Sequence, residues 1–167
     1  RSIRSDKTFT DKEAKLLDTC LMLHAEHGGG NNSTFTARVL SSRGTDTYAT
    51  MAASIGSLKG PKHGGANIKV SEMVDQIKEG VNDITNEGQV ADFLQKIMRK
   101  EAGDGSGLVY GMGHAIYTIS DPRAKILKAK AEEFAVNTEF EDEFRLLNLI
   151  EQLTPELFNS FKGSNKA

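Results

Sequence analysis

The chain has 167 residues, enough for about one domain with a sizeable core. Hydrophobic residues make up 38% and charged residues 26%, so the bulk of it reads as folded rather than disordered. A formal net charge of -2 argues against nucleic acid or an anionic membrane as the main partner, since both favour a basic surface.

No apolar stretch reaches the ~20 residues of a membrane span, and no signal-peptide pattern is visible. The single cysteine, Cys20, has no partner for an internal disulfide. It lies in the apolar run from Leu16 to Leu23 and reads as a buried structural thiol rather than a nucleophile. This fits a reducing compartment, and a cytoplasmic location is the expectation. The chain starts at Arg1 without a Met and stops in the polar tail Lys162 to Ala167, which fits either natural trimming or a cut from something longer.

The pattern is helix after helix, with no useful run of strand-like alternation, so the fold class expected is all-α and multi-helical. Thr10 and Glu13 form a capping box that opens the first helix, with Leu16, Leu17, Cys20, Leu21, Leu23 and His24 at helical spacing. Gly28-Gly29-Gly30 ends it. Asn32-Ser33 starts a short second helix running to Leu40. Asp46 starts a third, whose small residues Ala49, Ala52, Ala53, Ser54 and Gly56 predict a buried helix, and Gly60-Pro61 stops it. Gly64-Gly65 open a fourth through Val70, Met73, Val74 and Ile77. A polar turn from Gly80 to Gly88 leads to a fifth, with Val90, Phe93, Leu94, Ile97 and Met98 apolar. Gly103-Asp104-Gly105-Ser106-Gly107 reads as a flexible loop. Asp121-Pro122 supplies an N-cap and a first-turn proline for a sixth helix. The Lys125, Lys128, Lys130, Glu132 and Glu133 face of that helix reads as solvated. The last helical region runs from about Phe140 to Phe161, with Phe140, Phe144, Leu147 and Ile150 as core or interface and a break or restart at Pro155.

Three of the four histidines stand beside glycines at inferred helix ends. His27 precedes Gly28, His63 sits in Gly60-Pro61-Lys62-His63-Gly64-Gly65-Ala66-Asn67, and His114 follows Gly111-Met112-Gly113. Glycine beside a polar side chain lets a ligand reach both that side chain and the backbone amides. His63 falls at a helix N-terminus, where the macrodipole disfavours imidazolium. A neutral ring there can donate to a carbonyl oxygen and stabilise charge building on it. It can equally cap its own helix, and both readings stand at this point. Arg123 falls in the first turn of the sixth helix, an unfavourable place for a cation unless an anion is near. A guanidinium suits a carboxylate or phosphate, although by itself Arg123 reads as an ordinary surface Arg paired with an acidic residue. His24 and His27 form HxxH, but no Cys pair or HExxH completes a zinc ligand set, so no metal is expected. His24 reads instead as a core histidine or one supporting a ligand-bearing group. Gly111-Met112-Gly113 lacks the Lys-Ser/Thr of a P-loop and any preceding strand.

Four segments, taken together, resemble the citrate synthase family. They are residues 24–34, from His24-Ala25-Glu26-His27 to Ser33-Thr34; Gly60 to Asn67; Gly111-Met112-Gly113-His114-Ala115-Ile116-Tyr117; and Asp121-Pro122-Arg123. They keep the family's order and roughly its spacing, and the resemblance covers essentially the whole chain. It implies a homodimer that condenses acetyl-CoA with oxaloacetate and then hydrolyses citryl-CoA, with no cofactor beyond the coenzyme A thioester as substrate. It implies that His63 donates to the thioester oxygen and stabilises the enol, and that His114 polarises the ketone of oxaloacetate. His27, Asn31 and Arg123 would hold oxaloacetate, and Ser33 would orient His63. Lys62 and the stretch Leu108, Val109, Gly111, Met112 and Gly113 would meet coenzyme A. Residues 1–63 would be large-domain helices and 64–167 most of the small domain.

A third catalytic group, an Asp acting as base, and further arginines are implied beyond Ala167. Two readings compete: a 2-methylcitrate synthase using propionyl-CoA, and a non-catalytic ligand-binding or dimerisation module. Loss of a general base typically costs ~10²–10⁴-fold in rate. The 167-residue polypeptide assayed by itself should therefore show no appreciable turnover of acetyl-CoA with oxaloacetate, and full activity in that assay would refute the assignment of the base.

Overall fold

The computed structural model describes residues 5–25, 30–60, 64–112 and 121–164. Among them there are seven α-helices and no strand: α1 (Asp11–His24), α2 (Asn32–Ser41), α3 (Thr47–Leu58), α4 (Ala66–Gly80), α5 (Glu87–Met98), α6 (Pro122–Ala135) and α7 (Glu141–Ser164). The all-α class read from the sequence is the class observed. The chain divides into two compact units, one of Arg1–Leu58 with Ile119–Glu133, the other of Lys59–Thr118 with Phe134–Ala167.

In the first unit the helix starts follow from local chemistry. Glu13 N–H donates to Thr10 Oγ1 at 3.2 Å, and Thr10 N–H donates to Glu13 Oε2 at 2.6 Å, so two amide donors at the start of α1 are satisfied reciprocally. Asn31 caps α2 by accepting from Thr34 N–H at 2.9 Å. Asp46 caps α3 by accepting from Ala49 N–H at 3.0 Å. α2 and α3 pack on one another, with Asn32 Nδ2 donating to Ser57 Oγ at 2.8 Å. Lys12 on α1 donates to the Glu133 carbonyl of α6 at 2.9 Å.

Three expectations need correction here. The small-residue helix α3 is not buried: Thr50 is its one buried residue, while Tyr48, Met51 and Ile55 face solvent. A helix paired with one neighbour can cover only one face: Ala53 and Ser54 of α3 are half-buried, while Ala49, Ala52 and Gly56 stay exposed. Cys20 is half-buried rather than buried, on a helix with no buried residue. His24 is exposed rather than in the core, and its Nδ1 lies 2.6 Å from the Cys20 carbonyl, at the negative end of its own helix.

The second unit holds the apolar core. Met73, Val74 and Ile77 of α4, Val90, Leu94, Ile97 and Met98 of α5, and Leu146 and Ile150 of α7 are buried together, joined by Val81 and Val109 from the connections. The i, i+3, i+4 spacing of these residues lays each set along one helix face. The last residue of α4 is Gly80, where the Phe93 ring occupies the space a Cβ would need. Lys78 of α4 pairs with Glu143 of α7 across the edge of this core.

α7 runs unbroken through Pro155, against the break expected there. An interior proline costs about 3 kcal/mol through its missing N–H and a steric clash. Leu153, Leu157, Phe158 and Phe161 continue the apolar face on its far side and pack against the core. Their burial, at about 1.5–3 kcal/mol for each side chain fully removed from water, offsets that cost even when partial. Thr154, buried beside the proline, donates its hydroxyl to the Ile150 carbonyl at 2.6 Å.

Leu94 is fully buried at the centre of the three-helix contact. Leu94→Ala should destabilise the second unit by about 2–5 kcal/mol, measured as a shift of its chemical denaturation midpoint.

Candidate active site

His27, Lys62, His63, Gly113 and His114 lie outside the described residues. What can be followed is how the neighbouring backbone and the remaining candidates are held.

In the first unit, Asn31 and Ser33 come together at the start of α2. The Asn31 side-chain oxygen Oδ1 accepts from Thr34 N–H at 2.9 Å and from the Ser33 hydroxyl at 3.0 Å. Both residues are part-buried, and their side chains are fixed by the same cap. Arg123 stands in the first turn of α6, and Asp121 is the anion that makes this tolerable. Asp121 Oδ1 accepts the Arg123 amide at 2.8 Å, and its two oxygens receive Nε at 3.1 and 3.2 Å and Nη2 at 2.6 Å. One carboxylate therefore caps the helix and orients the guanidinium. The residue type expected for an anion at this place is thus present, already fixed by a charge-assisted fork.

In the second unit, α4 begins at Ala66, three residues after His63, and its N-cap is Gly65, which has no side-chain cap bond. No acidic side chain stands in the first turn of α4, so the amides there keep the positive end of the macrodipole. The segment Leu108 to Met112 runs beside α4. Val109 is buried at 3% exposure, whereas Leu108 is 56% exposed. Gly111 has φ +81°, and a Cβ there would meet Val70 Cγ2 of α4 at 3.1 Å. Met112 N–H closes a turn on the Val109 carbonyl at 3.4 Å.

The glycine-rich stretch before this segment is more organised than the flexible loop expected. Tyr110 Oη donates to Asp104 Oδ2 at 2.7 Å, and Ser106 N–H donates to Asp104 Oδ1 at 3.0 Å. Lys69 of α4 stands 3.6 Å from Asp104 Oδ2 and 2.8 Å from Glu72. The Ser106 and Tyr110 hydroxyls, then the Ser106 amide and Lys69, hold the Asp104 carboxyl well below the usual carboxylate range. The sequence pattern does not join Lys69 to Asp104 and Tyr110. The Asp-Gly-Ser-Gly run signals a turn, but Lys69 lies 35 positions from Asp104 and nothing local points to it.

The chain matches the family description Citrate synthase, C-terminal domain, over residues 2–165. The chain belongs to the citrate synthase family. A citrate synthase of Synechocystis is 36% identical over 153 residues, covering 89% of this chain and 35% of that protein. A citrate synthase of Deinococcus radiodurans is 38% identical over 144 residues, covering 86% and 35%. A 2-methylcitrate synthase of Shewanella oneidensis is 41% identical over 124 residues, covering 74% and 29%. The chain thus spans about a third of the length of the curated relatives it matches. Among the described residues no group of His, Cys, Asp or Glu could hold a metal ion, and no helix is long and apolar enough to cross a membrane.

Two outcomes follow from this geometry. Asn31→Ala removes the cap of α2 and should cost about 1 kcal/mol of stability, while Asn31→Asp keeps an acceptor and should cost less, measured by thermal denaturation. Because the Asp104 carboxyl is lowered from its ordinary value of 3.8, its contribution is complete above that pH and is lost only as pH falls through the lower folded-state value. The Tyr110 ring signals in an NMR titration should therefore stay unchanged from neutral pH down to pH ~4 and move only below it.

Proposed function

We propose that this chain carries part of the active site of an enzyme that condenses acetyl-CoA with oxaloacetate to give citrate and free coenzyme A. The observation that carries this reading is the start of α4: the helix begins at Ala66, three residues after His63 in sequence, behind a glycine N-cap and with no acidic side chain in its first turn, in a chain of this family. A neutral imidazole at that place donates to the thioester oxygen while the carboxylate base that the family implies takes a proton from the methyl carbon, so the enol forms without a free enolate charge. His114 polarises the ketone of oxaloacetate, and the enol carbon attacks the ketone carbon. Citryl-CoA then takes up water and releases the thiol.

Arg123 binds a carboxylate of oxaloacetate, with His27 and Asn31 as further donors, and Ser33 orients His63. Lys62, Leu108, Val109, Gly111, Met112 and Gly113 receive coenzyme A, chiefly through backbone groups. The division into large-domain residues 1–63 and small-domain residues 64–167 belongs to the same proposal, as does a cytoplasmic location. So does a homodimer: Phe35, Val39, Met51 and Ile55 leave an apolar α2–α3 surface exposed, of the kind subunits cover.

A second reading is favoured by the Shewanella relative, whose printed name is 2-methylcitrate synthase. One extra methylene in a pocket is worth only ~1–3 kcal/mol, so the motifs serve acetyl-CoA and propionyl-CoA alike. Comparing kcat/KM for the two thioesters in the whole enzyme separates them.

Arg123→Ala removes a charge-assisted contact worth roughly 1.5–3 kcal/mol and should weaken oxaloacetate binding about 10–100-fold by titration calorimetry. Unchanged affinity in the variant, or no oxaloacetate binding by the unaltered chain, would refute the assignment of this site.

A further inference from the structure

Asp104, Ser106 and Tyr110, in the connection after α5, form with Lys69 of α4 a polar cluster beside that helix. Tyr110 lies between Val109, which is sunk in the core, and Gly111, which touches Val70. Its hydroxyl reaches back six residues to Asp104 and lies 3.2 Å from Ser106 Oγ. Ser106 Oγ in turn accepts the Leu108 amide at 3.2 Å. The ring closed by residues 104, 106, 108 and 110 is tied to α4 by Lys69, which also binds Glu72. Lys69 and Val70 are adjacent on α4, so one helical turn meets the segment with both a charge and a methyl group. Three glycines make the return possible, since Gly103, Gly105 and Gly107 have φ of +74°, +73° and +80°.

The consequence is a short mechanical link. α4 starts three residues after His63, and the tied segment ends at Met112, two residues before His114. The Asp104–Tyr110 bond closes the 104–110 loop, and the Lys69–Asp104 ion pair with the Gly111–Val70 approach ties that loop, and the backbone leading towards His114, to α4. Resting on the functional reading above, we propose that Asp104 and Tyr110 are positioning residues: their hydrogen bond holds the Leu108–Met112 backbone where it receives the coenzyme A thioester. Neither side chain needs to touch the reacting atoms. A backbone site has no side-chain adjustment with which to absorb a shift, so small displacements of this segment weaken ligand binding.

The test uses the full 167-residue chain, unaltered and as Tyr110→Phe, Asp104→Ala and Asp104→Asn. Coenzyme A and oxaloacetate are titrated separately, and amide hydrogen exchange is followed at Leu108, Met112, Leu94 and Ile150. Tyr110→Phe and Asp104→Ala should weaken coenzyme A ~10-fold, leave oxaloacetate within about twofold, and speed exchange at Leu108 and Met112 only. Asp104→Asn keeps an acceptor for Tyr110 and should restore most of the coenzyme A affinity. The inference is overturned if both disruptive variants bind coenzyme A as the unaltered chain does. It is also overturned if both ligands weaken equally while Leu94 and Ile150 lose protection, since that marks general loosening. An unaltered chain that binds no coenzyme A instead sinks the functional reading itself, and this inference with it.

Discussion

The seam buried between α4, α5 and α7 is the constraint on which the second unit depends. Ile77, Leu94, Leu146 and Ile150 are each removed almost wholly from water, and they come from three different helices. Removing apolar surface from water supplies the favourable free energy, and close packing fixes the relative placement of the helices. α4 is thereby held along its length, from the Lys69–Val70 turn to Gly80. Anything attached to that turn inherits its position.

The connection from α5 back to α4 shows how a loop is tied to such a scaffold. Lys100 adopts φ +65° just after α5, and Glu101 N–H returns to the Lys96 carbonyl at 2.8 Å, which closes the helix end. Val109 then drops into the core, and Gly111 passes Val70 at a distance only glycine tolerates comfortably. Between these fixed points Asp104 accepts from Ser106 and Tyr110. The glycines give the chain its freedom in the unfolded state, and the polar bonds remove it in the folded one. Both are needed to place a backbone segment as a ligand surface without a regular element.

The first unit works by a different balance. Its helices begin where capping side chains satisfy amide donors, at Thr10, Asn31, Asp46 and Asp121. Few of its apolar side chains are buried, and Phe35, Met51 and Ile55 stay exposed. Caps set where helices start, and α2 and α3 give one another a single face. Asp121 serves twice, as cap and as partner of Arg123, so helix start and guanidinium orientation are one structural fact. An arginine without that carboxylate would meet the positive end of α6 and be repelled.

Much of the fold was legible in the residues alone, because caps and helical periodicity are local. The Thr10–Glu13 box, the Asp121-Pro122 start and the apolar faces of α4 and α5 are written within four or five positions of sequence. The histidine and arginine segments could be named for the same reason, as short glycine-bounded motifs that resemble a family. What the sequence could not fix was decided by groups far apart along the chain. Pro155 stays inside a helix because Leu157 and Phe158 find a core supplied by α4 and α5. Pairing with α2 leaves Ala49, Ala52 and Gly56 of α3 exposed, against the burial their size suggested. Lys69 reaches Asp104 only after both have been positioned by packing. Local rules state what each segment prefers, and tertiary contacts decide which preference is overruled, because burial sums over many side chains while a proline or a turn acts once.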